Sequence, residues 1–508
     1  MGEAAEAPGR PPAARRRRLL RVAALLTGAT LVTGLLQTTQ ATRSQADTGA
    51  TGSRTATVTL NDIKPRIPTS DGTVTVSGTV TNNGKSAISG AHLGVRIGPG
   101  GPLTTRSAMK SAASRSGFIS YLDGDEITGH TVEVAKLPAG YSAPFTLKVP
   151  VSALDLTATG VYQFGVTLDG ETAADASEHV LGINRTFLPW YATDAPAKPK
   201  PTQISYLWPL TDRPHIAARG DVDSQQSPIF LDDDLAKELA PGGRLQQMVE
   251  LAKNLPVTWV IDPDLLATVD SMTKPYRVVG PGGDVHSTTP GTGSAVANAW
   301  LNDLKGAIAG DQVVALPFGD TDLASIGHHG ARVPGTLAHL KTATALGVST
   351  LETVLGTALG TKAPTANVAW PIDGAVDPSI VSVARAGGAT KIIASSDSIN
   401  ESGLDYTPTA ARPIGGGTTA VVADSMLSTA FTGDMLRAQP ANLAEQNFLA
   451  QTLMITMQAP QKQRTLLVAP QRQLSISQAQ VLADAISTAD SSPWAATVDF
   501  DVAAKATP

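Results

Sequence analysis

Acidic residues follow several short apolar segments of this sequence, at or just after the point where each segment ends. These acids are Asp212, Asp262, Asp320, Asp373, Asp397 and Asp424. Hydrolysis of a glycoside needs two carboxyl groups about 5–9 Å apart, one protonated as a general acid and the other serving as nucleophile or base. The repeated placement of these acids therefore indicates a paired-carboxylate site for a glycan, provided that the fold collects them.

Three of the acids are the candidate catalytic residues: Asp212, Asp262 and Asp320. We expect Asp264 and Asp322 to cap the helices that follow, which leaves Asp262 and Asp320 free to point inward. The three carboxylates should then lie within about 10 Å of each other, as paired-carboxylate chemistry requires. In the competing interpretation, these acids are ordinary helix caps and hydrogen-bonding groups of the core.

Further residues near these segments are candidates for substrate binding. They are Arg213, His215, Asp373, Asp424, Trp208 and Trp259. Arg213 is suited to bind or pair with a carboxylate, and His215 is suited to move a proton near neutral pH. Indole rings form platforms for sugars, although a Trp in a barrel strand, including Trp370, ordinarily fills the interior or packs under a helix.

The sequence predicts no metal ion and no cofactor. It contains no Cys, which excludes disulfides, thiol nucleophiles and thiolate metal sites. Deacetylase metal sites use an Asp and two histidines spaced four apart on a helix, whereas His328 and His329 are adjacent and so lie on different helical faces. Whether His215, His328 and Asp320 meet in space stays open.

Composition limits the other classes of ligand. The formal net charge is −5, which offers no electrostatic footprint for a polyanion, so we expect no nucleic-acid partner. The glycines at 415–417 are not followed by Lys and Ser or Thr, as a nucleotide-binding loop would require. No Gly-x-Ser-x-Gly elbow occurs, which weakens the case for a serine hydrolase.

The elements that must position these residues form a multidomain chain. Short β-like segments at about ten-residue spacing predict an immunoglobulin-like β-sandwich over 56–188, followed by a Pro- and Lys-rich linker at 189–201. Eight apolar strands separated by amphipathic stretches predict a distorted (β/α) barrel of seven or eight strands over 202–508. The alternative is a doubly wound open sheet.

The amino terminus has the pattern of an export signal. Arg15–Arg18 and Arg21 precede an uncharged run from Val22 to Leu36, which is shorter than the roughly 20 residues that span a bilayer. Residues 1–46 are therefore a cleaved signal peptide or an uncut N-terminal anchor, and 47–55 a disordered tether. We expect an exported protein, extracellular or associated with the outer side of the cytoplasmic membrane through this segment alone.

Several long phrases carry a resemblance to a known family. They are WPLTDRPH (208–215), PGGRLQQMVELAKNLPVTWVIDPDLL (241–266), LPFGDTDLASIGHHG (316–330), VAWPIDG (368–374) and LLVAPQR (466–472). From about residue 57 onward, the chain resembles an uncharacterised family of exported actinobacterial envelope proteins, whose genes commonly lie near that of the lipid-linked peptidoglycan precursor flippase. The resemblance implies an envelope location and a link to cell-wall construction, and it transfers no catalytic residue.

Two further features of the resemblance bear on architecture. Members often continue into a further β-rich region and a C-terminal membrane helix, whereas this sequence ends at Pro508, so we expect a short or truncated member. By architecture, the barrel also resembles polysaccharide deacetylase and related glycoside hydrolase barrels, which is an analogy of fold.

Two functions from different classes follow. In the first, the barrel binds or processes a cell-wall glycan; if it is an enzyme, it is a hydrolase that uses paired Asp carboxylates. In the second, the barrel is a catalytically inert scaffold or partner for cell-wall assembly proteins.

The basic segment and the short apolar core generate a testable prediction about export. Cleavage after a small residue should place the mature amino terminus near Thr42 or Asp47. Intact-mass analysis of secreted material measures this start directly. A mass that retains Met1 or Gly2 would instead identify an uncut anchor.

Overall fold

The computed structural model describes residues 52–193, 198–218, 227–400 and 403–506. The predicted export segment at 1–46 lies outside the described residues. Of the predicted tether, Gly52–Arg54 form one turn of 3-10 helix. Within the described ranges, no helix combines the length and apolar character needed to cross a bilayer.

The amino-terminal domain consists of two antiparallel sheets that face each other. Its strands are β1 (Ala56–Lys64), β2 (Thr73–Asn82), β3 (Ile88–Ile97), β4 (Val132–Val134), β5 (Ser142–Pro150), β6 (Gly160–Thr172) and β7 (Asp175–Trp190). One sheet has the order β1-β2-β5 and the other β4-β3-β6-β7. Alternate residues of β2, including Val74, Val76 and Val80, are buried between the sheets, as period-two patterning predicts.

Two features of this domain differ from or refine the sequence prediction. The segment at 107–124, which the sequence left open between a loop and a helix, contains α1 (Arg106–Ser114) and α2 (Ser120–Asp123). Strand β7 was not predicted. Its first half is polar and its last six residues are all buried, so it lacks the alternation that reveals a half-buried strand.

The described residues of the second domain form twelve strands. They are β8 (Thr202–Leu210), β9 (Ile229–Phe230), β10 (Thr258–Ile261), β11 (Arg277–Gly280), β12 (Asp284–Pro290), β13 (Val313–Ala315), β14 (Val368–Ala369), β15 (Lys391–Ser395), β16 (Ala411–Pro413), β17 (Thr419–Ala423), β18 (Thr465–Val468) and β19 (Ala495–Thr497). All eight predicted strands are among them.

Its helices pack mostly against the outer side of the main sheet. They are α3 (Leu235–Leu239), α4 (Arg244–Ala252), α5 (Pro263–Met272), α6 (Ser294–Ala307), α7 (Leu323–Ser325), α8 (Thr336–Leu355), α9 (Pro378–Ala386), α10 (Ser425–Ser428), α11 (Ala438–Gln458), α12 (Ile476–Asp490) and α13 (Phe500–Lys505). The segments 335–347 and 351–360 each read as a separate helix in the sequence, but α8 is continuous through Gly347. That glycine allows a close approach, since a Cβ there would lie 2.4 Å from the Leu316 carbonyl oxygen.

The main sheet of this domain is a curled, parallel half-barrel. Seven parallel strands follow the order β13-β10-β8-β18-β17-β15-β14, while β19 pairs with β8 and β16 with β17. The two ends of this order approach each other at Thr365, whose N–H donates to the Val313 carbonyl at 2.8 Å and whose carbonyl accepts from Ala315 N at 3.1 Å. The curvature therefore brings the last strand back towards the first.

An apolar core fills the inside of the curled sheet. Each parallel strand contributes at least one buried residue to it, among them Leu207, Val260, Val314, Val368, Ile393, Val421 and Leu467. Helix α13 adds Phe500 to this core, and the Phe500 N–H donates to Thr258 Oγ1 at the start of β10. The interior is thus packed at the amino ends of the strands.

Helix α11 lies between the two domains and is buried around most of its surface. Polar groups on this helix bind the sandwich: Asn442 Nδ2 donates to the Leu60 carbonyl at 2.8 Å, and Glu445 Oε2 is 2.8 Å from Arg66 Nη2. Apolar residues of the sandwich, such as Phe187, belong to the same hydrophobic cluster as the helices of the second domain. The domains therefore share a continuous interface.

A second polar contact crosses this interface. Arg106, at the start of α1, binds both carboxylate oxygens of Asp424, with Nη1–Oδ2 and Nη2–Oδ1 distances of 2.5 and 2.7 Å. Both side chains are mostly buried, with 14% and 6% of their surface exposed. Asp424 also caps α10 through the Leu427 N–H.

Removing the cation of this pair should destabilise the protein. Arg106→Ala leaves the Asp424 charge buried without its partner, and loss of one member of a buried pair costs about 3–5 kcal/mol of unfolding free energy. Chemical denaturation measures the change. Lys110→Ala, at an exposed position of the same helix, is the matched control and should change the free energy by less than about 0.5 kcal/mol. Equal effects of the two variants would contradict the assignment.

Candidate functional site

A cleft of about 620 Å³ opens at the carboxyl ends of the parallel strands. The carboxyl end of β15 and the segments that follow β8, β13, β14, β17 and β18 all contribute to its lining. Its polar groups include Asp212, Asp320, Asp373, Ser395, Ser425, Thr429, Gln471, Arg472 and Gln473. Parallel strands end on one side of a sheet, which is why these separate parts of the sequence meet here.

Arg472 is the cation of this cleft, and it follows β18, a strand that is not followed by any of the six acids named above. Its Nε donates to Asp320 Oδ2 at 2.5 Å, and its Nη2 donates to the Trp370 carbonyl. The guanidinium carbon lies 4.7 Å from the centre of the Trp370 ring, in the geometry of a cation–π contact. Arg472 was not among the site residues predicted from the sequence, although the phrase LLVAPQR contains it.

Asp320 has a backbone conformation suited to this contact. Its φ is 38°, in the left-handed region that Asp adopts more readily than most residues, and it directly follows Gly319 with a φ of 76°. The turn directs the carboxylate towards Arg472, whose side chain is also only 18% exposed. The acidic side chain that follows β13 and the cationic side chain that follows β18 are therefore in direct contact within the cleft.

Asp212 lies on the same cleft but has different partners. Its Oδ2 is 3.2 Å from His215 Nε2, its Oδ1 is 3.2 Å from Arg244 Nη2, and its Oδ1 accepts from Arg213 N at 2.9 Å. Burial opposes ionisation of Asp212, yet these hydrogen bonds and the Arg244 charge together lower its pKa below the usual value. Asp212 is therefore held as a carboxylate.

Arg213 and His215 are the other two candidate residues of the phrase WPLTDRPH. The Arg213 guanidinium pairs with Asp232 at 2.8 Å and lies 3.5 Å from Asp234, so Arg244 rather than Arg213 is the cation beside Asp212. His215 is buried, and its Nδ1 has no hydrogen-bond partner within the described residues. His215 thus orients Asp212 from inside the protein.

The prediction that Asp264 caps α5 and leaves Asp262 free is wrong. Asp262 is itself the cap: its Oδ1 accepts from Asp264 N at 3.0 Å and from Gly319 N at 3.1 Å. The strand ends one residue before Asp262, and Pro263 occupies the first helical position, which makes Asp262 the capping residue. The parallel prediction for Asp322 is confirmed, since it caps α7.

Asp262 has an unusually high pKa for an Asp. It is 2% exposed, and burial raises its pKa to about 7, with further contributions from the charges of Asp264 and Asp320. Asp262 lies directly behind Gly319, which lines the cleft. A carboxyl group with a raised pKa and one with a lowered pKa thus follow the adjacent strands β10 and β8.

The remaining strand-end acids occupy three different environments. Asp373 is exposed at the cleft with a φ of 52°. Asp397 Oδ1 accepts from Ser425 Oγ at 2.8 Å. Asp424, in contrast, is occupied by Arg106 and by capping α10.

The tryptophans selected from the sequence lie in the core. Trp208 and Trp259 are fully buried, and their indole N–H groups donate to the Met248 carbonyl and to Asp311 Oδ2, both at 3.0 Å. They face the helices outside the sheet because they alternate with the inward residues Leu207 and Val260. Neither ring reaches the cleft, whereas Trp370 does.

His215, His328 and Asp320, whose meeting in space the sequence left open, have separate partners. His328 Nε2 is 2.6 Å from Asp377 Oδ2 on the exposed surface, while His215 contacts Asp212 and Asp320 contacts Arg472. Among the described residues, no group of three His, Asp or Glu ligand atoms converges at this cleft. The chemistry available there is hydrogen bonding, charge recognition and proton transfer.

The fold and the cleft define a two-domain protein: an immunoglobulin-like sandwich joined to a curled α/β domain with a polar strand-end cleft. The chain belongs to DUF6049, a family of unknown function, whose sequence profile matches residues 14–508. No curated protein matches the sequence.

Solved structures resemble the two domains at a distance. An α-amylase from Thermotoga maritima is 11% identical with a TM-score of 0.37, covering 61% of this chain and 76% of its own. A putative polysaccharide deacetylase from Mycobacterium smegmatis is 12% identical with a TM-score of 0.33, covering 61% and 93%. A CARDB domain from Pyrococcus furiosus is 9% identical with a TM-score of 0.15, covering 27% and 92%.

The raised pKa of Asp262 generates a prediction for stability against pH. The group ionises near pH 7 in the folded protein and near pH 4 when unfolded, so the folded state binds more protons between these values and loses stability as the pH rises through them. Asp262→Asn keeps an acceptor for the cap but cannot ionise. Denaturation at pH 4.5 to 8 should show the variant gaining up to about 4 kcal/mol relative to the wild type, at about 1.4 kcal/mol per pKa unit.

The matched control is a substitution of Asp322, the residue that caps α7. Hydrogen bonds from Ser325 lower the pKa of Asp322, so Asp322→Asn should leave the pH dependence between 5 and 8 unchanged. A wild-type stability that is flat or rising from pH 5 to 7 relative to Asp262→Asn would contradict the burial argument.

Proposed function

We propose that the cleft binds a glycan. The observation that carries this proposal is the cleft lining, in which carboxylates, hydroxyls and amides surround Arg472 on the face of Trp370. Sugar hydroxyl groups both donate and accept hydrogen bonds, and they are recognised by a few convergent polar groups in a concave, partly apolar site. Ile372, with 55% of its surface exposed beside Asp373, offers an apolar contact for a sugar ring.

We infer that the α/β domain is a distorted (β/α) barrel of seven strands. The hydrogen bonds of Thr365 between the two ends of the strand order support this interpretation, as does the interior core drawn from every parallel strand. In such a barrel the loops at the carboxyl ends supply the binding residues. The cleft would then be the ligand site that this architecture ordinarily provides.

Hydrolysis of the glycan is the second candidate, and Asp262 favours it. A carboxyl group with a pKa near 7 is suited to donate a proton to a leaving group at neutral pH, as the general acid of a glycosidase does. Asp320, on the next strand, or Asp212 would act as the ionised partner. Proton transfer would require access to Asp262 past Gly319 when substrate is bound.

The biological setting that we propose is the cell envelope. The basic segment and apolar core at the amino terminus support export, and the phrases shared with envelope proteins support a role in cell-wall construction. The glycan would then be a cell-wall polymer or its fragments. An inert scaffold for cell-wall assembly proteins is the competing function.

Binding is tested with the full chain and defined glycan fragments. Peptidoglycan fragments and a panel of neutral and acidic oligosaccharides are titrated by calorimetry, and Asp373→Asn is compared with the wild type. The Asn side chain retains the left-handed backbone but loses the charge, and loss of a hydrogen bond to a charged group should weaken binding about tenfold or more. Asp71→Asn, on an exposed turn of the sandwich, is the control and should bind like the wild type.

Turnover is measured in the same samples by mass spectrometry of the products. If the cleft is catalytic, Asp320→Asn should abolish product formation while thermal unfolding shows that the protein is folded. Binding without products in the wild type identifies a binding module. The absence of any bound glycan, or equal binding by Asp373→Asn and Asp71→Asn, would contradict the proposal and favour the inert scaffold.

A further inference from the structure

A cluster of ligand-type side chains lies on the outer face of the sandwich sheet, in the other domain from the cleft. His92 on β3 is directly opposite Asp169 on β6, and Glu126 comes from the segment between α2 and β4. One ligand atom from each of these three residues lies within 4.8 Å of the others. Two ligand atoms of one cation with bond lengths of about 2.0–2.4 Å lie no more than about 4.8 Å apart, so the spacing of these three atoms is compatible with a shared divalent ion.

The two nitrogens of His92 face different acids. Nε2 is 3.1 and 3.2 Å from the two oxygens of Glu126, and Nδ1 is 3.2 Å from Glu178 Oε1. When Nδ1 carries the proton and donates it to Glu178, the lone pair of Nε2 points at the Glu126 carboxylate. This is the arrangement in which an outer carboxylate orients a metal-binding histidine, and a cation bound by both Nε2 and Glu126 would complete it.

Asp169 supplies an independent indication of a missing partner. The residue is 7% exposed, and Arg96 Nη2 donates to its Oδ1 at 2.9 Å. Its other oxygen, Oδ2, is buried and has no hydrogen-bond partner among the described residues. A buried carboxylate oxygen left unpaired is costly, and ligation of a cation removes that cost.

The charges of the cluster favour a divalent ion. Glu126, Asp169 and Glu178 contribute three negative charges and Arg96 one positive charge, which gives −2 when His92 is neutral. A proton on His92 would leave the cluster at −1, whereas a divalent cation would neutralise it. Gly94, between His92 and Arg96 on the same face of β3, leaves room for the acid, because a Cβ there would lie 2.2 Å from Glu126 Oε2.

We propose that His92, Glu126 and Asp169 bind one divalent cation of the zinc type, oriented by Glu178. One imidazole nitrogen and two carboxylate oxygens form a ligand set that Zn²⁺ accepts, with water completing the coordination. In a tetrahedral zinc site, ligand atoms lie about 3.3 Å apart, close to the 3.1 Å between His92 Nε2 and Glu126 Oε2. The ion fastens the segment after α2 to β3 and β6.

The full chain is stripped with a chelator and dialysed against Zn²⁺, with Mn²⁺ and Ca²⁺ in parallel, and the bound metal is quantified by elemental mass spectrometry. We expect one Zn²⁺ per chain and a higher melting temperature when zinc is present. His92→Ala and Asp169→Asn should lower the affinity at least 100-fold. Glu178→Gln, at a side chain that is 56% exposed, should lower it about tenfold without affecting the fold.

His179→Ala is the matched control, because His179 lies on the neighbouring strand and pairs with Asp175 instead. It should bind zinc like the wild type. Less than about 0.1 zinc per chain would overturn the proposal, and so would undiminished binding by His92→Ala and Glu178→Gln. Should His92→Ala fail to fold, the isosteric Asp169→Asn and the exposed Glu178→Gln still decide between the two outcomes.

Discussion

Packing of apolar side chains inside a curled parallel sheet is the constraint on which the second domain depends. Each of seven strands places at least one buried residue there, and Phe500 joins them at the amino ends. Full burial of such a side chain contributes about 1.5–3 kcal/mol. The inward residues pack against each other at the same height along the strands. The strands therefore end at a similar height, and the segments that follow them form a single cleft.

The Asp carboxyl groups at and beside the cleft differ in pKa, although they are chemically identical. Asp212 is surrounded by His215, Arg244 and a backbone N–H, which lower its pKa. Asp262, on the adjacent strand, is buried beside two other acids, and its pKa rises to about 7. Environment thus moves the pKa values of two carboxyl groups in opposite directions, which is the division that acid–base chemistry uses.

The sandwich is coupled to this region through a helix and an ion pair. Helix α11 has buried polar groups that bind the backbone and side chains of the sandwich. Arg106 of the sandwich binds Asp424, the cap of α10, and the next residue, Ser425, lines the cleft. The interface residue Asp424 is therefore the direct neighbour in sequence of a residue of the cleft wall, which ties the conformation of one domain to the shape of the site in the other.

The sequence by itself determined the type of many elements, because β-branched runs ended by Pro, Gly or Asp encode strands locally. Eight of the twelve strands described in the α/β domain were predicted, whereas the strands β9, β11, β12 and β16 were not. The sequence also indicated which strands are followed by acidic residues. It did not determine that Trp208 and Trp259 face the core, that Asp262 rather than Asp264 caps α5, or that Arg472 meets Asp320. Those outcomes depend on strand register, curvature and distant partners. Burial and pairing are properties of three-dimensional neighbours, so only the tertiary structure decided them.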